Sequence, residues 1–297
     1  MAEQSESAEA EEVKPTERQV SIYRQIIQRI FDRHYKKGKI EFGFQRDEFR
    51  EIAAALHAEG LAKKSVVKNL GDIVYTFRHR QALPADILAT QPKNRGWIIL
   101  GDGDAKYRFR LTRLVHIEAR QGAEIIPIPD ATPEIIVKYA QNDEQALLAK
   151  IRYNRLIDTF LGITTYSLQN HLRTKIPNYG QIEIDELYTG VDKSGRHYII
   201  PVQAKGPRDK LGAIQTIQDI TYCTTPPAKD AKPKKKGAKD FSKLECRAVS
   251  AQSIRDEHGE VIVMFELSFD GNDVSVKEER HYRLVSAETE SGLLGRP

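Results

Sequence analysis

Along this chain the spacing of apolar residues switches between a helical and an extended period, and each switch predicts an element. Val20, Tyr23, Ile26, Ile27, Ile30 and Phe31 recur at i, i+3, i+4 and i+7 up to Gly38, the stripe of an amphipathic helix. Ile40, Phe42 and Phe44 then alternate as a short strand, and residues 46–59 return to helical spacing through Phe49, Ile52, Ala53 and Leu56. A third helix is predicted over residues 62–80, with Val66, Val67, Leu70, Ile73, Val74 and Phe77 inward, and a hairpin over 96–111 around a Gly/Asp turn. Residues 114–143, carrying Pro127, Pro129 and Pro133, read as strand and linker. From Asn142 a helix buries Ala149, Tyr153, Leu156, Ile157 and Phe160, and a second, capped by Thr164 or Thr165, runs through Arg173 on Leu168 and Leu172.

Alternation is clearest over residues 181–205. Ile182 and Ile184 take one face and Glu183 and Asp185 the other; Asp-Lys-Ser-Gly-Arg turns the chain; Ile200, Val202 and Ala204 then point away from Pro201, Gln203 and Lys205. A helix over 210–222 turns Leu211, Ile214 and Ile217 inward, and strands follow over 244–254, 261–269 and 279–285.

Composition adds limits to this outline. A length of 297 residues sets two domains as the expectation, and 40% hydrophobic residues is globular. Residues 1–15, rich in Glu, Ala and Ser, bury too little apolar surface to offset the entropy of ordering and are expected to be a disordered acidic tail. That tail hides part of the charge: the net +4 leaves a basic body, which favours polyanionic partners. The two cysteines, Cys223 and Cys246, form no disulfide framework and no zinc spacing, so a reducing cytoplasm is the expected location. No apolar run is long enough to cross a membrane, so no membrane association is expected.

The order helix, strand, helix, turn, helix, hairpin over residues 16–115 resembles a winged helix-turn-helix domain, a small α+β unit. The resemblance implies a third helix that enters the DNA groove and a hairpin that touches phosphate. On the helix the candidate contacts are Lys63, Lys64, Lys68, Tyr75, Arg78 and His79; on the hairpin Lys106, Arg108 and Arg110 alternate and so share one face. The competing reading is a protein-interaction module with a merely solvated basic face.

The 181–205 hairpin carries the candidate chemistry. If the register aligns, Asp185, Gln203 and Lys205 meet at the strand ends. Phosphodiester hydrolysis needs a hard cation, oxygen ligands and a cation or base beside the attacking water, and these residue types match. Asp185 is the candidate principal Mg²⁺ ligand, with the Gln203 amide oxygen and the Ala204 carbonyl beside it; Lys205 would orient or activate the water and stabilise the transition state. Asn154 and Asp158, four apart on the preceding helix, are candidates to point at the same site.

At these residues, Ile-Glu-Ile-Asp185 and Val-Gln203-Ala-Lys205, the chain resembles the PD-(D/E)XK nuclease superfamily. Gln218-Asp-Ile-Thr-Tyr222 is similar to the QxxxY element that follows the catalytic lysine in its RecB-like branch, where the element helps hold site and DNA. The resemblance covers residues 144–225. It implies a restriction-endonuclease-like α/β fold, a mixed sheet flanked by helices, across 144–285, joined by a 116–143 linker to the winged-helix unit. The basic 226–243 segment is expected to be a flexible loop and 286–297 a loose tail. One departure stands out: Gln203 occupies a position where the family more often has Glu or Asp, which leaves Glu183 as the compensating acid with Asp158 behind it. The function implied is a Mg²⁺-dependent endonuclease on double-stranded DNA, of restriction or phage-defence type, and cutting both strands favours a homodimer. Competing readings are a noncatalytic DNA-binding protein on the same scaffold, or a repair or junction-resolving nuclease. The bland reading makes Glu183, Asp185 and Glu186 solvent-facing and Lys205 a surface lysine.

Overall fold

A computed structural model describes residues 17–63, 67, 69–140, 144–176, 179–226 and 240–286. The expected acidic tail, Lys64, Lys68, most of the basic loop and nearly all of the C-terminal tail lie outside the described residues. The chain divides into two compact units, residues 1–90 and 91–297.

The first unit contains α1 (Glu17–His34), β1 (Glu41–Gln45), α2 (Asp47–Ala58), α3 (Leu70–Tyr75) and α4 (Ala85–Ala89). The helical stripe of α1 buries Tyr23, Ile26, Ile27, Ile30 and Phe31, and α2 buries Phe49, Ile52, Ala53 and Leu56. Arg33 on α1 pairs with Glu48 and Glu51 of α2, at 3.1 Å each. The predicted 62–80 helix is shorter than its apolar spacing suggested. Among the described residues, helix begins only at Leu70, because the Asn69 side chain accepts from the Gly71 and Asp72 amides and caps it there. The helix continues as a π-helical turn over Thr76–Arg80.

The second unit is α/β. Its mixed eight-stranded sheet runs β5 (Ile125–Pro129), β13 (Val274–Val285), β12 (Gly259–Phe269), β11 (Ala248–Asp256), β8 (His197–Lys205), β7 (Gly180–Val191) and β6 (Thr164–Ile176), with β10 (Glu245–Cys246) also paired to β8. The β8–β11 and β13–β5 pairs are parallel; β6–β7, β7–β8, β11–β12 and β12–β13 are antiparallel. On one face α6 (Glu144–Tyr153) and α7 (Leu156–Leu161) pack Leu147, Ile151, Ile157 and Phe160 against Ile200, Val202, Ala204 and Met264. On the other, α8 (Ala213–Thr224) packs Ile214, Ile217 and Ile220 against Val261, Val263 and Phe265. Every β8 residue from Tyr198 to Ala204 is buried, as expected of a central strand covered on both faces.

The β2 (Gly96–Gly101) and β3 (Lys106–Thr112) hairpin falls in the second unit, where Ile98 and Leu100 share a core with Leu211, Ile214 and Ile217. The 116–143 stretch is not a free linker: β4 (His116–Ile117) pairs with β9 (Leu211–Gly212), β5 is a sheet edge, and α5 (Glu134–Tyr139) follows. The helix expected over 164–173 is strand β6, the opposite sheet edge, whose mostly exposed side chains give no apolar period to read.

Candidate functional site

The central hairpin forms as its sequence predicts, and its turn explains the register. Asp192 accepts from Ser194 N at 2.8 Å, Arg196 N at 3.0 Å and the Tyr198 hydroxyl at 2.8 Å, while Gly195 supplies a φ of +79°. The β7–β8 ladder then runs from Val191 opposite His197 to Glu186 opposite Val202. Beyond it, β8 keeps its pairing with β11 through Lys205, and the Ala204 N–H donates to Asp185 Oδ2 at 3.0 Å. Where the ladder ends, a carboxylate takes the place of a backbone acceptor.

Four polar side chains gather at this point in an otherwise apolar interior. Asp185 is brought there by β7, Gln203 and Lys205 by alternate positions of β8, and Asp219 by α8. Gln203 is 1% exposed and Asp219 2%. Burial raises the Asp185 pKa against the opposing pull of the Ala204 N–H and Lys205. Asp219 is raised well above the ordinary carboxylate value by burial and then by the Asp185 charge, with the neighbouring Gln203 amide opposing. The Gln203 amide is thus near enough to Asp219 to interact, yet neither of its amide atoms, nor Asp219 Oδ1, makes a hydrogen bond of good distance and angle among the described residues. Lys205 Nζ lies 2.5 Å from Glu144 Oε1 at the start of α6. Burial lowers the Lys205 pKa, but Glu144, Asp185 and Asp209 outweigh it and the net shift is upward, so the amine is a fixed cation. Beside this pair opens a cleft of about 830 Å³ lined by Glu144, Gln145, Gly206, Pro207, Arg208, Asp209 and Arg255.

No known family, characterised protein or solved structure matches this chain. The site is therefore read from its own geometry.

The structure brings Asp185, Gln203, Ala204 and Lys205 together and disperses several other candidates. Glu183 is exposed, pairing with Arg173 at 3.2 Å and His171 at 3.4 Å on β6. Asn154 holds the 130–132 turn, accepting from Ala131 N at 2.7 Å and donating to Thr132 Oγ1 at 2.8 Å. Asp158 accepts from Thr165 N at 2.8 Å and pairs with Arg155. The helix expected to align those two breaks between them, at Arg155 with a φ of +49°, so they do not face one site. Gln218 is buried and Tyr222 packs near Ile182, Ile184 and Phe241; neither hydrogen-bonds to Asp185, Gln203 or Lys205 among the described residues. Glu186, expected on the opposite face from Asp185, is buried there against Arg152 rather than solvent-facing.

Two participants were missed. Glu144 opens α6 as an ordinary first-turn acid. Asp219 carried a readable signal, an acid on a helix face that also presents Thr216 and Cys223 inward.

The candidate nucleic-acid contacts are split between the units. In the first, Tyr75 and His79 are exposed with ring centroids 4.7 Å apart, the Arg80 guanidinium lies 4.7 Å from the Tyr75 ring centre, and Lys63 is exposed. In the second, Lys106 is exposed, Arg108 pairs with Asp102 at 2.9 Å and Arg110 donates to the Gly271 carbonyl at 3.1 Å. Phe109 and Leu111 are buried, which confirms the alternation that puts the three basic residues on one face.

Proposed function

We propose that this chain is a Mg²⁺-dependent endonuclease acting on double-stranded DNA, with Asp185, Gln203 and Lys205 at its centre. The observation that carries the reading is the buried cluster itself. Gln203 is buried beside the Asp219 carboxylate and one strand from Asp185, with neither amide atom in a well-directed hydrogen bond among the described residues, an arrangement that costs stability unless a ligand completes it.

The donor set fits a hard cation. Asp185 and the Gln203 amide oxygen offer only oxygen, the ligand type Mg²⁺ takes, and a small number of protein ligands suits an ion that keeps several waters. Among the described residues no three Asp, Glu, His or Cys side chains form a ready metal cluster. A bound Mg²⁺ supplies charge neutralisation for the phosphoryl oxygens as a phosphodiester is cleaved.

The protein's own groups divide the remaining work. The Ala204 N–H fixes the orientation of Asp185. Lys205, held protonated by Glu144 and Asp185, donates to a phosphate oxygen or to the attacking water and does not act as a base. Arg208 and Arg255 in the cleft wall are placed to meet the phosphodiester backbone. The first unit would supply further DNA contact through Lys63, Tyr75, Arg78 and His79, and a homodimer would let the enzyme cut both strands.

Plasmid incubated with Mg²⁺ tests this against Asp185→Ala and Lys205→Ala. Nicking by wild type alone supports the reading, and equal cleavage by all three sinks it. The neutral Gln203 favours a second reading, a noncatalytic DNA-binding protein on the same scaffold. Salt-sensitive DNA retention with no nicking in any divalent cation selects that one.

A further inference from the structure

We infer that Asp219 is a metal-binding carboxylate of this site, supplying from α8 the charge that Gln203 does not supply from β8. The inference rests on the reading that the Asp185 cluster takes a divalent cation. It goes beyond it by naming a ligand outside the hairpin.

Placement is the first argument. Asp219 is the one charged residue that α8 buries: Ile214, Ile217 and Ile220 enter one core cluster and Cys223 another, and Thr216 and Gln218 are neutral. An acid at such a position is disfavoured unless it is paired or coordinates something. Among the described residues Asp219 has no ion-pair partner, and its Oδ1 has no hydrogen bond.

Charge is the second. Lys205 is the cation of the cluster, and its ammonium sits on Glu144. Asp185 and Asp219 are therefore left as two neighbouring carboxylates, neither of them in an ion pair with a second cation among the described residues. A divalent ion supplies the two missing charges.

The third is the amide between them. Gln203 Oε1 is a neutral oxygen with an empty acceptor site, and its burial leaves no water-filled alternative at the surface. Asp185, Gln203 and Asp219 then make one oxygen-only ligand set from three elements, β7, β8 and α8.

The test titrates Mn²⁺ alone into the full chain by calorimetry, with metal-free thermal melts alongside. Wild type should bind Mn²⁺. Asp219→Asn should weaken binding by more than the roughly 10- to 100-fold that outer partners of a metal site are worth, while its metal-free melting temperature equals or exceeds that of wild type. Adding Gln203→Glu to Asp219→Asn should restore binding. If Asp219→Asn fails to fold, Asp219→Ser serves the same comparison. Wild-type affinity in Asp219→Asn, with binding lost in Asp185→Asn, overturns the role of Asp219 and leaves the nuclease reading standing. No Mn²⁺ binding by wild type removes the cation site itself. Failure of Gln203→Glu to rescue overturns the claim that the two positions exchange one charge.

Discussion

Replacing Arg152 by methionine isolates the acid next to Asp185. Glu186 has a side chain that is 0% exposed, and its Oε1 accepts from Arg152 Nε at 3.0 Å, Arg152 Nη2 at 2.9 Å and Ser167 Oγ at 2.6 Å. Oε2 has no partner among the described residues. Arg152→Met leaves that carboxylate with the Ser167 hydroxyl and the neighbouring Tyr188 phenol, and with no cation. Breaking a fully buried pair costs about 3–5 kcal/mol, but the Arg152 side chain is 39% exposed, so solvent already screens it and about 2–3 kcal/mol is expected. Arg152→Met combined with Glu186→Leu removes both charges and should lie within about 1 kcal/mol of wild type. Urea unfolding followed by Trp97, the single tryptophan and a buried residue of the second unit, reads the relevant domain directly. Glu186→Gln should also keep plasmid nicking that Asp185→Asn loses. The reasoning fails if Arg152→Met costs less than about 0.5 kcal/mol, or if the double variant is as unstable as Arg152→Met alone.

Two further outcomes test other parts of the second unit. A Cβ built on Gly101 would stand 2.5 Å from the Tyr179 carbonyl oxygen, a backbone atom that cannot swing away, so Gly101→Ala should destabilise by about 1–3 kcal/mol in the same urea assay. Glu279, 5% exposed at its side chain, has a pKa below the ordinary 4.5: burial opposes this, but His281 at 2.7 Å and the Arg120 N–H at 2.8 Å prevail. A depressed carboxylate adds stability that is present above the unfolded-state pKa and is lost as pH falls through the folded one. Wild type should therefore lose stability below about pH 4.5 more steeply than Glu279→Gln, and parallel pH profiles would refute the assignment.

Periodicity recovered what is local. The hairpin at 181–205, helices α1, α2 and α8, and the last three strands appear close to their expected places because each shows one apolar face to one core. It failed where the deciding contact lies far along the chain. Strand β6 has few buried side chains, so only its pairing with β7 distinguishes it from a helix. The Asn154–Asp158 spacing is helical, but Asn154 is claimed by the 130–132 turn and the helix breaks beside it. Alternation placed Glu186 opposite Asp185 correctly, yet nothing local announces Arg152. Within the site, Asp185, Gln203 and Lys205 were legible because they share one hairpin, whereas Glu144 and Asp219 arrive from helices about 60 and 15 residues away in sequence and meet it only through tertiary packing.

The two margins of the large sheet are shut by different means. At β5, Pro127 and Pro129 remove N–H groups that an added strand would need. At β6, an irregularity between Ser167 and Gln169, the left-handed His171 and the charged Arg173 and Lys175 interrupt the edge. A second copy of the chain thus meets no inviting backbone at either end. A dimer that meets at these two margins must be built from side-chain surfaces, and its geometry is not dictated by the direction of the strands.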